Sequence, residues 1–326
     1  MDVRGRVEAE PVGDVTATLG EGPYWVPEDG CLLWVDIHGG QLHRTDVSSG
    51  ATESVSVESV SAAFPVNGGG ILIAAGSRLS LRSSWGTDEP KPRVVAEVWA
   101  RPDVRFNDGA VDPAGRVWIG SMHTGETDPL GDLCRLDNGG VLTPLVRKVT
   151  ISNGIGWSPD GARMYYVDSP SRKIDVFDYN SASGELYGRR VFSDLQYADG
   201  VPDGLTVDAD GCVWVAMYGG AAIRRFTPAG KPDVALPVPV ARPTSCAFGG
   251  PNLSELYVTT ASAGLSEAAR KAQPLAGRLL RLRPGPFGLP SATAQVTLPH
   301  LPEPEPEPEP DAGAEESAAE SADAQE

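Results

Sequence analysis

Short apolar stretches separated by tight turns run through this chain, and the stretches come in similar pairs. Glu21 is followed by GPYWVPEDGCLLWVD, Asn107 by DGAVDPAGRVWIGSM, Asn153 by GIGWSPDGARMYYVD and Asp203 by GLTVDADGCVWVAMY. Each phrase reads as an apolar strand, a turn built on Pro, Asp or Ala with Gly, and a second strand rich in Val, Ile, Trp and Tyr. Ser245 opens a fifth copy, SCAFGGPNLSELYVTTA, and a degenerate sixth near Ala62 reads AAFPVNGGGILIAAG. The starting points 21, 62, 107, 153, 203 and 245 are spaced 41 to 50 residues apart. Short strands and tight turns at that period predict propeller blades, so the expected fold is all-β, a six-bladed β-propeller.

That geometry gathers residues that are distant in sequence. The innermost strand of every blade lines a central channel, so equivalent repeat positions meet around one axis. The apolar packing phase begins just after each anchor, which puts Glu21, Asn107, Asn153 and Asp203 at the start of inner strands, at one mouth of the channel. Trp34, Trp118 and Trp214, in the second strands, are expected to pack the blades.

Composition adds a tail to this picture. Residues 1–301 are expected to form the propeller, and 302–326, PEPEPEPEPDAGAEESAAESADAQE, to be a disordered acidic tail, stiff where Pro and Glu alternate. The formal charge of −17 is largely a property of that tail, and no basic stripe suggests nucleic-acid binding. No signal core or membrane-length apolar run occurs, so a cytoplasmic location is expected, with no membrane and no obligate protein partner inferred. Cys31, Cys134, Cys212 and Cys246 lack metal-site spacing and read as small core residues.

Nucleophile elbows, phosphate loops and zinc-protease motifs are missing, and His38, His43, His123 and His300 are out of phase with the anchors. Oxygen ligands remain. Glu21 and Asp203 with the amide of Asn153, buried together, would cost several kcal/mol per unpaired charge, a cost that a divalent cation removes. An all-oxygen set suits Ca²⁺, Mg²⁺ or Mn²⁺, and carboxylates also bind Zn²⁺. Asn153-Gly154 and Asp203-Gly204 are equally good hairpin turns. However, each repeat has its own turn a few residues later, at Asp160-Gly161 and Asp210-Gly211, and Glu21, a poor turn residue, fills the same slot. Arg105 shares a strand face with Asn107 and has two open readings, an ion pair with Asp103 or Asp108 or a hydrogen-bond donor to a polar ligand.

The phrases LGEGPYW, RFNDGAVDPAGRVWIGSM, ISNGIGWSPDGARMYYVDS, PDGLTVDADGCVWVA and TSCAFGG, in that order, resemble the SMP-30/gluconolactonase/regucalcin family from about Pro11 to Pro290. The resemblance implies a six-bladed propeller with one divalent metal ion in its channel, and hydrolysis of a sugar lactone such as gluconolactone to the aldonic acid. It implies metal ligands at Glu21, Asn153 and Asp203, and substrate contacts at Arg105 and Asn107. Where sugar-lactonase members can carry a substrate-binding glutamate this chain has Gly125, with Glu126 adjacent as the candidate. On this reading Asp203 is also the catalytic general base. The same resemblance admits a non-catalytic calcium- or small-ligand-binding propeller, and the tail admits a docking scaffold.

Overall fold

The computed structural model describes residues 7–85, 92–98, 101–137 and 139–296, so the expected acidic tail, 302–326, lies outside the described residues. Among the described residues, six four-stranded antiparallel sheets form. Their first strands are Gly20–Val26, Val60–Pro65, Val104–Val111, Ser152–Trp157, Val201–Val207 and Pro243–Gly249. Each packs against the first strand of the next sheet and the last packs back on the first, which closes the ring of six blades around a channel. The core lies between blades, where the indoles of Trp34, Trp118 and Trp214 are at most 1% exposed, the packing expected of them. The four cysteines are buried and free, also as expected.

Blade 6 is completed from both ends of the chain. Its outermost strand is Glu10–Val12, paired antiparallel with Leu279–Leu282. Val12 is buried, and Arg281 and Arg283 both bond the Glu10 carboxylate. At the far end of the channel a second terminal segment runs across the hairpins that leave the inner strands. Gly288 bonds Leu253 and bridges Asp208, Tyr24 Oη donates to the Ala292 carbonyl, Ala294 pairs with Pro65 and Asn67, and Gln295 bonds Gly115. This strap touches five blades and floors a cavity of about 310 Å³ inside the channel, lined by all six inner strands.

Every inner strand carries a register shift at the same place. In blades 3, 4 and 5 the pairs Asn107-Asp108, Asn153-Gly154 and Asp203-Gly204 fall inside it, two residues opposite one on the partner strand. In blade 1 the shift follows Glu21 directly. The Asn-Gly and Asp-Gly pairs are therefore bulges, and the hairpins come later, at Gly161 and Gly211, both with positive φ. A bulge re-aims a side chain out of the two-fold alternation. The glycines serve close approach: a Cβ on Gly154 would lie 2.7 Å from the Asp203 carbonyl oxygen, and one on Gly204 2.7 Å from the Ser245 Cα. In blades 2 and 6 the shift falls at Ser61 and Thr244, one residue before the starts at Ala62 and Ser245 that the repeat phase suggested. Their hydroxyls are spent on neighbouring backbone, Ser61 on Ala74 and Thr244 on Gly20.

Candidate metal and substrate site

Strand direction fixes which loops surround the anchors. Inner strands start at the mouth, so the loops after each second strand and the crossovers between blades lie on the mouth face. Buried carboxylates away from the anchors are well supplied with donors. Asp36 accepts from the amides of Thr18, Leu19 and Gly39 at 2.8 to 2.9 Å. Asp112 holds Arg116 and the Trp118 indole, and Asp208 holds Cys212, the Trp214 indole and Arg225. These groups are structural, each charge balanced by N–H dipoles or a guanidinium.

The anchor carboxylates are different. Glu21, Asp108 and Asp203 are only 7 to 9% exposed. Glu21 accepts from the Gly22 amide at 3.2 Å and Asp108 from the Gly109 amide at 2.7 Å. Among the described residues, Asp203 Oδ1 is buried with no hydrogen-bond partner. Burial first, then the charges of Asp203 and Asp108, push the Glu21 carboxyl well above the usual range, while the Gly22 amide and Arg105 pull the other way. Burial and then Asp108 push Asp203 up, and burial pushes Asp108 up to about 6. Three acids from blades 1, 3 and 5 thus feel one another across the axis with too few donors to hold their charge.

Amides link the same mouth from blade to blade. Arg105 Nη1 donates to Asn107 Oδ1 at 2.9 Å, and Asn107 Nδ2 donates to Asn153 Oδ1 at 3.0 Å and to the Ser152 carbonyl at 2.8 Å. Asn153 Nδ2 donates to Ser169 Oγ at 2.8 Å, and that hydroxyl donates to the carbonyl of Pro202, the residue before Asp203. The relay fixes the Asn153 amide with one lone pair of Oδ1 free. Arg105 is half-buried, and its guanidinium meets neither acid of its two-way sequence reading; Asp103 lies by Arg101 instead. Glu126 sits on the mouth-face loop after Val117–His123, exposed and at a positive φ of 62°, and its charge reaches Arg105.

The six residues singled out in the sequence therefore share one mouth. Asp108, read there only as an ion-pair partner, belongs with them. Its signal was the Asn-Asp-Gly triplet, with two side chains of the amide or carboxylate type before the glycine where the other repeats have one. The donor set fits a hard divalent cation: an orphaned carboxylate oxygen on Asp203, a second under-paired acid in Glu21, and the neutral Oδ1 of Asn153. Among the described residues, no cluster of three or more His, Cys, Asp or Glu side chains could hold a metal ion by itself. The amide is needed.

A family model for the SMP-30/Gluconolactonase/LRE-like region matches residues 19–262, all six inner strands. The chain belongs to this family. Among its relatives are regucalcin of Xenopus laevis, 37% identical over 85% of this chain and 94% of the relative, and pentonolactonase XacC of Haloferax volcanii, 36% identical over 88% and 98%. A solved structure described as a calcium-binding protein, regucalcin, from Agrobacterium tumefaciens superposes with a TM-score of 0.84 at 29% identity, covering 89% of this chain and 98% of that one. Family membership accords with the propeller. No helix of the described residues is long and apolar enough to cross a membrane.

Proposed function

We propose that this protein is a divalent-cation-dependent lactonase that opens a sugar lactone to the aldonic acid. The single observation that carries the reading is the buried, partnerless Oδ1 of Asp203 among the acids of the channel mouth. Relatives named as lactonases, such as the pentonolactonase, support the reaction class. Glu21, Asn153 and Asp203 would hold the cation. When bound, a divalent cation polarises the lactone carbonyl and acidifies water beside it.

The chain's own groups do the rest. Asp203 takes a proton from the attacking water as the new C–O bond forms and returns it to the ring oxygen as the ring C–O bond breaks. Arg105 and Asn107, already braced against each other, orient the substrate hydroxyls, with Glu126 reaching in from its loop. Burial of the mouth keeps these polar contacts from being diluted by water. A cytoplasmic setting belongs to the same proposal.

The test is a pH-drop assay over a panel of aldonolactones, after chelation and with Ca²⁺, Mg²⁺, Mn²⁺ or Zn²⁺ restored. At least one lactone should be opened, chelation should stop turnover and one of the ions should restore it. Saturable Ca²⁺ binding with no lactone opened would instead support a calcium-binding protein, the description carried by the Agrobacterium relative.

A further inference from the structure

A second guanidinium stands at the mouth without an acceptor among the described residues. Arg242 lies in the crossover from blade 5 to blade 6, directly before the inner strand Pro243–Gly249 and therefore on the mouth face. Its backbone is pinned: the Ala241 amide donates to Gln273 Oε1, the Ala241 carbonyl accepts from Ala221, and the Arg242 carbonyl accepts from Ala261. Its guanidinium lies 5.5 Å from the ring centroid of Tyr218. The other side is left open by Gly264, φ 63°, where a Cβ would come 3.0 Å from Arg242 Nη1.

Most arginines that pack on aromatics here also have an acid. Arg225 stacks on Trp214 and holds Asp208 and Asp233, and Arg189 packs on Phe177 and holds Asp175. Arg242 has neither a carboxylate nor a hydrogen-bond acceptor among the described residues. A rigid, half-buried planar fork without a protein acceptor suits bidentate recognition of a carboxylate or a phosphate.

Tyr218 ties this fork to the candidate site. Its residue pairs with Val201, two residues before Asp203. Burial raises its phenol, Arg242 lowers it, and the charges of Asp203, Glu126 and Glu21 raise it, so the ring sits within the field of the anchors. An anionic ligand approaching these acids is repelled unless a cation receives it.

We propose that Arg242, held against Tyr218, is a specificity-determining residue that receives an anionic group, phosphate or carboxylate, carried by the lactone at the end remote from its carbonyl. This rests on the lactonase reading and names the substrate class for it. The experiment compares kcat/KM for D-glucono-δ-lactone, its 6-phosphate and D-glucaro-1,4-lactone, which keeps a free C6 carboxylate, with wild type, R242Q and R242K of matched melting temperature. Wild type should favour one anionic lactone, and R242Q should lower the anionic-to-neutral ratio about 10- to 100-fold, the worth of a charge-assisted pair. R242K should keep part of it, and the anionic lactone that responds tells phosphate from carboxylate. A ratio unchanged within about twofold in R242Q overturns the proposal, as does a wild type that prefers the neutral lactone. Calorimetry of the cation-loaded protein with 6-phosphogluconate and gluconate separates the two readings. Tighter phosphogluconate binding that R242Q loses, without turnover of any lactone, keeps the anion site and removes the lactonase. Turnover with no charge preference in rate or binding does the reverse.

Discussion

At the residue scale, the mouth is a place where charge has been left uncompensated. Asp203→Asn removes one acid while keeping its shape, so it should lower kcat by about 10³-fold or more. The same change should raise the melting temperature of the cation-free protein, because an unpaired buried charge is destabilising. It should also abolish the thermal shift on adding the cation, and a D203N protein that still gains the full shift would show that the ion is held elsewhere. The raised carboxyls of the mouth give a second expectation. Glu21, Asp108 and Asp203 all have folded values above their ordinary ones, Asp108 at about 6. The folded state therefore holds protons that the unfolded chain has released, and the stability these groups add is complete below the ordinary carboxylate range and is lost as pH rises through and beyond 6. Cation-free protein should melt lower at pH 7.5 than at pH 5, and the increment from added cation should be larger at pH 7.5, since cation and protons compete for the same oxygens. Thermal scans with and without chelator at both values read this directly.

At the element scale, the inner-strand bulge carries most of the design. Gly204 has ordinary φ, so its role is spatial: the neighbouring inner strand at Ser245 passes where a side chain would go. Gly204→Ala should cost about 1–3 kcal/mol in denaturant unfolding, and it should weaken cation binding too, because spreading blades 5 and 6 shifts Asp203. A variant as stable as wild type would mean the strands can yield. The bulge also explains what the sequence did and did not make legible. Glu21, Asn153 and Asp203 could be found because three repeats place an oxygen donor in one slot before glycine. Asp108 was harder, since two-fold alternation sends it to the face opposite Asn107, and only the bulge frees both from pairing. The starts at Ala62 and Ser245 were displaced by one residue because Ser61 and Thr244, with no polar-Gly pair, give the slot no mark. Arg242 left no trace in its own repeat, its neighbours Tyr218 and Gly264 coming from a strand end of blade 5 and a loop of blade 6.

At the scale of the whole molecule, the ring holds the anchors at fixed separations, and its closure rests on three residues near the start of the chain. Deleting residues 1–12 strips Val12 from the core, parts Arg281 from Glu10 and exposes Leu279–Leu282 as an edge. A loss of at least about 2 kcal/mol follows from the buried valine and the strand pairing alone. Denaturant midpoints of the truncated protein should fall accordingly, and an unchanged midpoint would show that blade 6 is stable with three strands. The period of the repeats made the six blades legible, whereas both terminal segments went unread because neither contains a copy of the phrase. The pairing of Glu10 with Arg281 has a further consequence, for biosynthesis. A chain emerging from the ribosome makes its opening strand first and must keep it idle until the closing hairpin has been translated. Five blades can assemble in order of appearance, but the channel, and any ion within it, becomes enclosed only when Glu10–Val12 meets a strand made about 270 residues later.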